Sequence, residues 1–269
     1  MWKNSLWGRI VIGTVLVLLV LAVIRFGTKE LLAVLVAAWS VLATLEFLDL
    51  LRKADVILNR WLLCLLNLLI VAAGYLGLLP GFLIAPVGVV FLAAVAARET
   101  RPRNPVYGTF TLVYLGFLPA HLVMLKGLAE EQGLSFWLVL FPLVLTWIND
   151  TAAYFTGKIA GQRRLAPTIS PNKTLEGFVA GILAAAMLSA IGLRRLEPFS
   201  ASPVWWLGFI GIGLGALAQA GDLFESIFKR AVGIKDTSNV LGQHGGFLDR
   251  IDSLLFTIPA FYYLVRLLC

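Results

Sequence analysis

From Gly221 to Asp252 the chain gathers carboxylates, bases and glycines into one stretch. Asp222, Glu225, Ser226, Lys229 and Arg230 come first, then Lys235 and Asp236, then His244-Gly245-Gly246, Asp249, Arg250 and Asp252. Hard oxygen donors without a His or Cys cluster suit Mg²⁺, which one or two carboxylates commonly hold together with substrate phosphates. Lys229, Arg230, Lys235 and Arg250 are bases that neutralise phosphate oxygens. His244-Gly245-Gly246 leaves the backbone bare, so that successive N–H groups can form an anion-binding nest. Together these are the parts of phosphoryl or nucleotidyl transfer. Ion pairing at a membrane surface explains any one of these residues, but not their density.

Helical spacing sharpens the pattern. If a helix continues past Gly221, Asp222, Glu225, Ser226 and Lys229 fall on one face, and Asp249 and Asp252 share a face at the start of the next helix. Asp150 ends another apolar run, in Trp147-Ile148-Asn149-Asp150. A carboxylate at membrane depth is costly and faces a cavity, a partner or an ion, unless it merely ends its helix at the headgroups. Familiar nucleotide signatures are missing: Ala152 stands where a P-loop ending in Thr156-Gly157-Lys158 needs its first glycine. Gly211, Gly213 and Gly215 lie mid-span and read as close-packing positions. His121, beside Pro119, reads as a hydrogen-bonded interfacial histidine.

The elements that must position these residues are apolar helices. Of 269 residues, 59% are hydrophobic and 14% charged, against about 45–50% and about 25% in soluble domains. The fold class expected is all-α and polytopic, with nine membrane helices near 9–26, 29–51, 57–78, 81–97, 107–125, 135–156, 175–193, 203–221 and 251–268. Residues 1–134 carry the first five helices, and 135–269 form the catalytic region with its polar loops. Residues 10–24 read as an uncleaved first helix. With the N-terminus cytoplasmic, sixteen of the 22 Lys and Arg residues fall on the inner side. The polar connections 157–174 and 222–250 then both face the cytoplasm. The net charge of +7 is accounted for by this bias, and no basic stripe interleaved with aromatics points to nucleic acid. Cys64 and Cys269 offer no disulfide framework.

The spacing Ser226, Lys229-Arg230, Lys235-Asp236, His244-Gly245-Gly246, Asp249-Arg250, Asp252 resembles the C-terminal signature of the phosphatidate cytidylyltransferases, also called CDP-diacylglycerol synthases. Gly242 departs from a common proline. Asn149-Asp150-Thr-Ala-Ala-Tyr154-Phe-Thr-Gly157-Lys158 and Ser170-Pro171-Asn172-Lys173-Thr174-Leu175-Glu176-Gly177 are similar to two further blocks of that family, with Asn172 and Leu175 departing from its Lys and Trp. The similarity covers roughly residues 145–265; the first five helices match only as a hydrophobic pattern.

The resemblance implies a homodimeric enzyme of the plasma or inner membrane that joins CTP to phosphatidic acid with Mg²⁺, and with room for a second cation. It implies Asp222 and Asp249 as metal ligands, supported by Asp252 or Asp236. Lys173, Lys229, Arg230, Lys235 and Arg250 would contact phosphates, with Ser226, Gly245 and Gly246 in the substrate site. Asn149 and Asp150 would line the same cavity. A phosphate monoester is already ionised at neutral pH, so His244 is expected to donate to phosphate or orient its loop rather than act as an obligatory base. Two other readings use the same residues: a CTP-dependent lipid-alcohol kinase, and a transporter with acidic residues in broken helices.

Overall fold

The computed structural model describes residues 6–79, 81–238 and 245–269. Among them the chain is mostly helical. In order come α1 (Leu6–Phe26), α2 (Lys29–Lys53), α3 (Arg60–Tyr75), α4 (Ile84–Ala96) and α5 (Arg103–Leu112). A π-helical turn (Val113–Phe117) joins α5 to α6 (Leu118–Glu131); α7 (Phe136–Ala160), α8 (Leu175–Gly192), α9 (Val204–Ala231) and α10 (Leu254–Leu268) follow. Each of the nine segments expected from the sequence contains a helix. Five are long and apolar enough to cross a bilayer: α2, the continuous rod Arg103–Glu131, α7, α8 with its extension to Arg195, and α9. The apolar stretches Val17–Phe26, Arg60–Tyr75, Gly81–Ala96 and Leu254–Leu268 are shorter.

Three local expectations change. Helix α7 runs on to Ala160, four residues past the expected 156, so Asp150 sits well within it. Helix α10 begins only at Leu254, and Asp249 lies in a 3₁₀ turn (Leu248–Arg250), so Asp249 and Asp252 do not share a helical face. The fold is also not purely helical. Strands β1 (Arg164–Ala166) and β2 (Ser170–Thr174) pair antiparallel, with Arg164 opposite Thr174 and Ala166 opposite Ser170. Pro167 stops any helix here and sits early in the turn that the Ile169 N–H closes on the Ala166 carbonyl at 3.2 Å.

The chain divides into two compact units, residues 1–127 with 231–251, and residues 128–230 with 252–269. In the first, Phe47 packs against Phe110 and Tyr114 at 5.7 and 6.2 Å. Buried polar groups are matched across helices. Ser40 donates to the Leu115 carbonyl, which lies in the π turn, and Asn67 Nδ2 donates to Thr44 Oγ1 at 2.8 Å. A π turn disrupts the regular helical ladder, and a hydroxyl supplies a donor there that lipid cannot. His121 is fully buried, with Nδ1 2.8 Å from the Phe117 carbonyl of the preceding turn, so the hydrogen bond expected of it is present.

In the second unit Phe261 stacks between Phe141 and Phe199 at 5.1 and 5.8 Å. Helices α7, α8 and α9 approach through small residues, because lipid gives apolar side chains little reason to cluster and close contact must do the work. A Cβ on Gly215 would lie 2.9 Å from Ala185 Cβ, and one on Gly211 would collide with the α8 backbone at Ala185 and Ala186. Gly213 faces open space, so only two of the three mid-span glycines serve packing.

Candidate active site

The second unit draws together residues that are far apart in sequence. The connection from α7 to α8 is fixed by its own motif. Thr174 ends β2 and caps α8, accepting the Gly177 N–H at 3.2 Å. Glu176, in the first turn of α8, accepts the backbone N–H groups of Gln162 and Arg163 at 3.1 and 3.2 Å. Gly157 and Gly161 leave room for Thr174, whose side chain a Cβ at either position would strike. This clamp sets the direction of the residue just before the cap, Lys173.

Lys173 Nζ lies 2.9 Å from Asp222 Oδ2 and 3.5 Å from the Gln219 carbonyl. Because α9 continues past the sequence-expected boundary, Asp222, Glu225, Ser226 and Lys229 do lie along one uninterrupted helix. Ser226 Oγ donates to Asp222 Oδ1 at 3.4 Å. The Asp222 and Lys173 side chains keep 34% and 22% of their surface accessible, enough for a ligand to reach both.

Around this pair the charges are mostly negative. Asp150 lies within electrostatic reach of Asp222 and Asp252, with Lys173 as its nearby countercharge. Asp252 in turn lies within electrostatic reach of Asp222 and Lys229. Lys229 Nζ pairs with Glu225 Oε2 at 3.0 Å, and both are buried. The structure therefore directs Lys229 into the helix packing, where the sequence suggested a phosphate contact. Arg230 Nε donates to the Ile169 carbonyl at 3.0 Å and so ties the hairpin turn to α9.

A polar ladder backs the pair. Asn149 is fully buried; its Oδ1 accepts from Gln219 Nε2 at 3.3 Å, and its Nδ2 donates to Asp150 Oδ1 at 3.3 Å. Gln219 also donates to the Phe178 carbonyl at 3.1 Å. Gly181 makes the ladder possible, since a Cβ there would lie 2.6 Å from Gln219 Nε2 and 2.8 Å from Asn149 Oδ1. Gly181→Ala is expected to destabilise the protein by about 1–3 kcal/mol through overpacking. A thermal melt in detergent would register this as a lower Tm, and an unchanged Tm would contradict it.

The rest of the polar stretch belongs to the first unit. Asp249 Oδ2 accepts the Thr237 N–H at 3.0 Å, the Thr237 hydroxyl at 2.8 Å and the Gly246 N–H at 2.7 Å. Gly245 adopts a left-handed φ of 74°, which favours glycine. The Gly246 N–H is thus given to Asp249, whereas the sequence left it bare for an anion. Lys235, Asp236 and Arg250 are exposed. His244 lies outside the described residues. Sequence reasoning misses Gln219 as a site residue, although its spacing of three residues from Asp222 is a usable signal.

Two carboxylates beside one lysine make a donor set for hard cations and for phosphates. Among the described residues no three His, Cys, Asp or Glu side chains close round one point as a metal cage would. An open carboxylate pair, completed by ligand phosphates, is instead the usual habit of Mg²⁺.

Comparison with known proteins agrees in kind. The profile of the cytidylyltransferase family matches residues 7–268. The chain is 40% identical over 159 residues to a phosphatidate cytidylyltransferase of Bacillus subtilis, covering 59% of this chain and 57% of that protein. It is 40% identical over 157 residues to the phosphatidate cytidylyltransferase of Aquifex aeolicus, covering 58% and 56%. A third relative, the uncharacterized protein YnbB of Escherichia coli, is 37% identical over 191 residues, covering 71% and 62%. The chain thus spans less than two thirds of the length of each of these relatives.

Proposed function

Since the chain belongs to the cytidylyltransferase family, we propose that it transfers CMP from CTP to phosphatidic acid, giving CDP-diacylglycerol and pyrophosphate. The observation that carries this reading is the accessible Lys173–Asp222 pair, set among Asp150 and Asp252. A phosphatidate oxygen forms the new bond to the α-phosphorus of CTP, and the bond to the β-phosphate oxygen breaks. The nucleophile is ionised already, so no side chain has to remove its proton. What the protein supplies is the holding of two anions together and the matching of charge on the bridging and leaving oxygens. Lys173 faces the phosphates, and Asn149 and Gln219 hold Asp150 and the α9 backbone in register behind it.

Asp222 and Asp249 stay assigned as Mg²⁺ ligands, with Asp252 or Asp236 in support; Asp222 and Asp252, with Asp150 near, fit the ion by their hard oxygen donors and their mutual repulsion, which a cation relieves. Bound there, the ion would offset charge developing on the transferred phosphoryl group. Lys235 and Arg250 are exposed and remain assigned to phosphate contact, as does His244 to its loop.

Nine spans with a cytoplasmic N-terminus complete the reading, with the protein working as a homodimer. The nine apolar helices and the basic bias of the inner connections support the topology. The 16-residue α3 reaches about 24 Å, short of the roughly 30 Å hydrocarbon core, a mismatch that local thinning accommodates.

Product analysis separates this reading from its rivals. With CTP labelled at the α- or γ-phosphate, phosphatidic acid and Mg²⁺, the α-label is expected in lipid and the γ-label in pyrophosphate. Label entering lipid from the γ position alone would mean a kinase. Solute uptake into proteoliposomes without nucleotide turnover would mean a transporter.

A further inference from the structure

We propose that Glu46, in the first unit, is a positioning residue for the signature loop and so for the transfer reaction. The inference rests on the cytidylyltransferase reading for its activity assay, but not for its geometry. Helix α2 matches the family resemblance only as a hydrophobic pattern, yet it carries a buried carboxylate. Glu46 is 7% exposed. A buried acid within a candidate span is costly unless it is well hydrogen-bonded, and here the partners come from one loop.

Glu46 Oε1 accepts the Ser238 hydroxyl at 2.5 Å. Its Oε2 accepts the Leu248 N–H at 2.9 Å and the Thr237 hydroxyl at 3.4 Å. One carboxylate therefore holds both ends of the loop, before residue 239 and after residue 244. Thr237 is shared with Asp249, whose Oδ2 takes its N–H and hydroxyl, so Glu46 and Asp249 form one network through a single side chain. Gly246 has no room for a Cβ, because Glu46 and the Thr237 hydroxyl occupy that place. The second glycine of the motif is thus required by an acid some two hundred residues earlier. Two helical turns before Glu46, Trp39 adds a second tie: Nε1 donates to the Phe247 carbonyl at 3.0 Å, and the rings meet edge-to-face at 5.7 Å.

The hydrogen bonds of Glu46 go to Thr237, Ser238 and Leu248 of the loop. Glu46 acts by fixing where Asp249 and the neighbouring Arg250 are presented. A misplacement of about 1 Å costs on the order of 100-fold in rate, so Glu46→Ala is expected to lower kcat/KM for CTP by about that factor. Glu46→Gln keeps an acceptor for Leu248 and Thr237 and can donate to the Ser238 hydroxyl, so it is expected to restore most of the loss.

The test uses the full chain in lipid nanodiscs. Steady-state kinetics with CTP and phosphatidic acid are combined with amide hydrogen exchange across 237–248 for wild type, Glu46→Ala and Glu46→Gln. Faster exchange at Gly246 and Leu248 in Glu46→Ala, with α7–α9 unchanged and rescue by Gln, supports the proposal. Normal kcat/KM or unchanged loop exchange in Glu46→Ala overturns it. Should Glu46→Ala not fold, Thr237→Val decides by the same two readouts. If wild type makes no CDP-diacylglycerol, the functional reading fails while the loop exchange still judges Glu46.

Discussion

Asp222→Asn is expected to reduce CDP-diacylglycerol formation by about 1,000-fold or more while leaving a folded, membrane-inserted protein. The substitution keeps the shape of the side chain and a group that Ser226 can still reach. What it removes is the charge that faces Lys173 at 2.9 Å and that would hold a hard cation. Losing one preorganised electrostatic contact costs about 100- to 1,000-fold in known enzymes, and here the same group would serve the cation and orient the lysine. Folding should survive, because the side chain is 34% accessible and lies outside the apolar core. Turnover of the purified variant, beside its helicity and Tm, is the measurement. Near-normal turnover would remove Asp222 from the reaction.

Lys173→Met is expected to have the next largest effect, a fall of about 100-fold in kcat/KM for CTP. Methionine preserves much of the stem and removes the cation. Asp222 would then face Asp150 and Asp252 with its paired countercharge gone, and an incoming triphosphate would meet net negative charge. Lys173→Arg should recover only part of the loss, since a planar fork does not replace a compact ammonium. In the double variant with Asp222→Asn the losses should not add, because residues acting as a unit lose their effect together. A Lys173→Met protein with a lowered Tm but unchanged kcat/KM would make the pair structural instead.

Much of this arrangement is legible in the residues themselves. The apolar runs specify the helices because a backbone in lipid must satisfy its own hydrogen bonds. The i, i+3/i+4 spacing by itself aligns Asp222 with Glu225, Ser226 and Lys229. Helix ends are less legible. The apolar run of α9 stops near Gly221, yet the helix runs on to Ala231. The hairpin at 164–174 has no clear sequence signal because it is short and takes its order from Glu176 and Thr174.

The chemistry of the Asp222–Asp252 stretch, its oxygen donors, bases and glycines, is set by sequence alone, since residue type fixes what a side chain can bind. Tertiary structure decides which residues meet. It brings Lys173 to Asp222 through a capped hairpin and turns Lys229 inward onto Glu225. It gives the Gly246 amide to Asp249, and it ties the loop to Glu46 of a helix that lies outside the signature blocks. The physical reason is distance along the chain. Local spacing is governed by helical geometry, which can be counted. Contacts between remote segments depend on where small residues let helices approach and on which buried polar groups must then find partners.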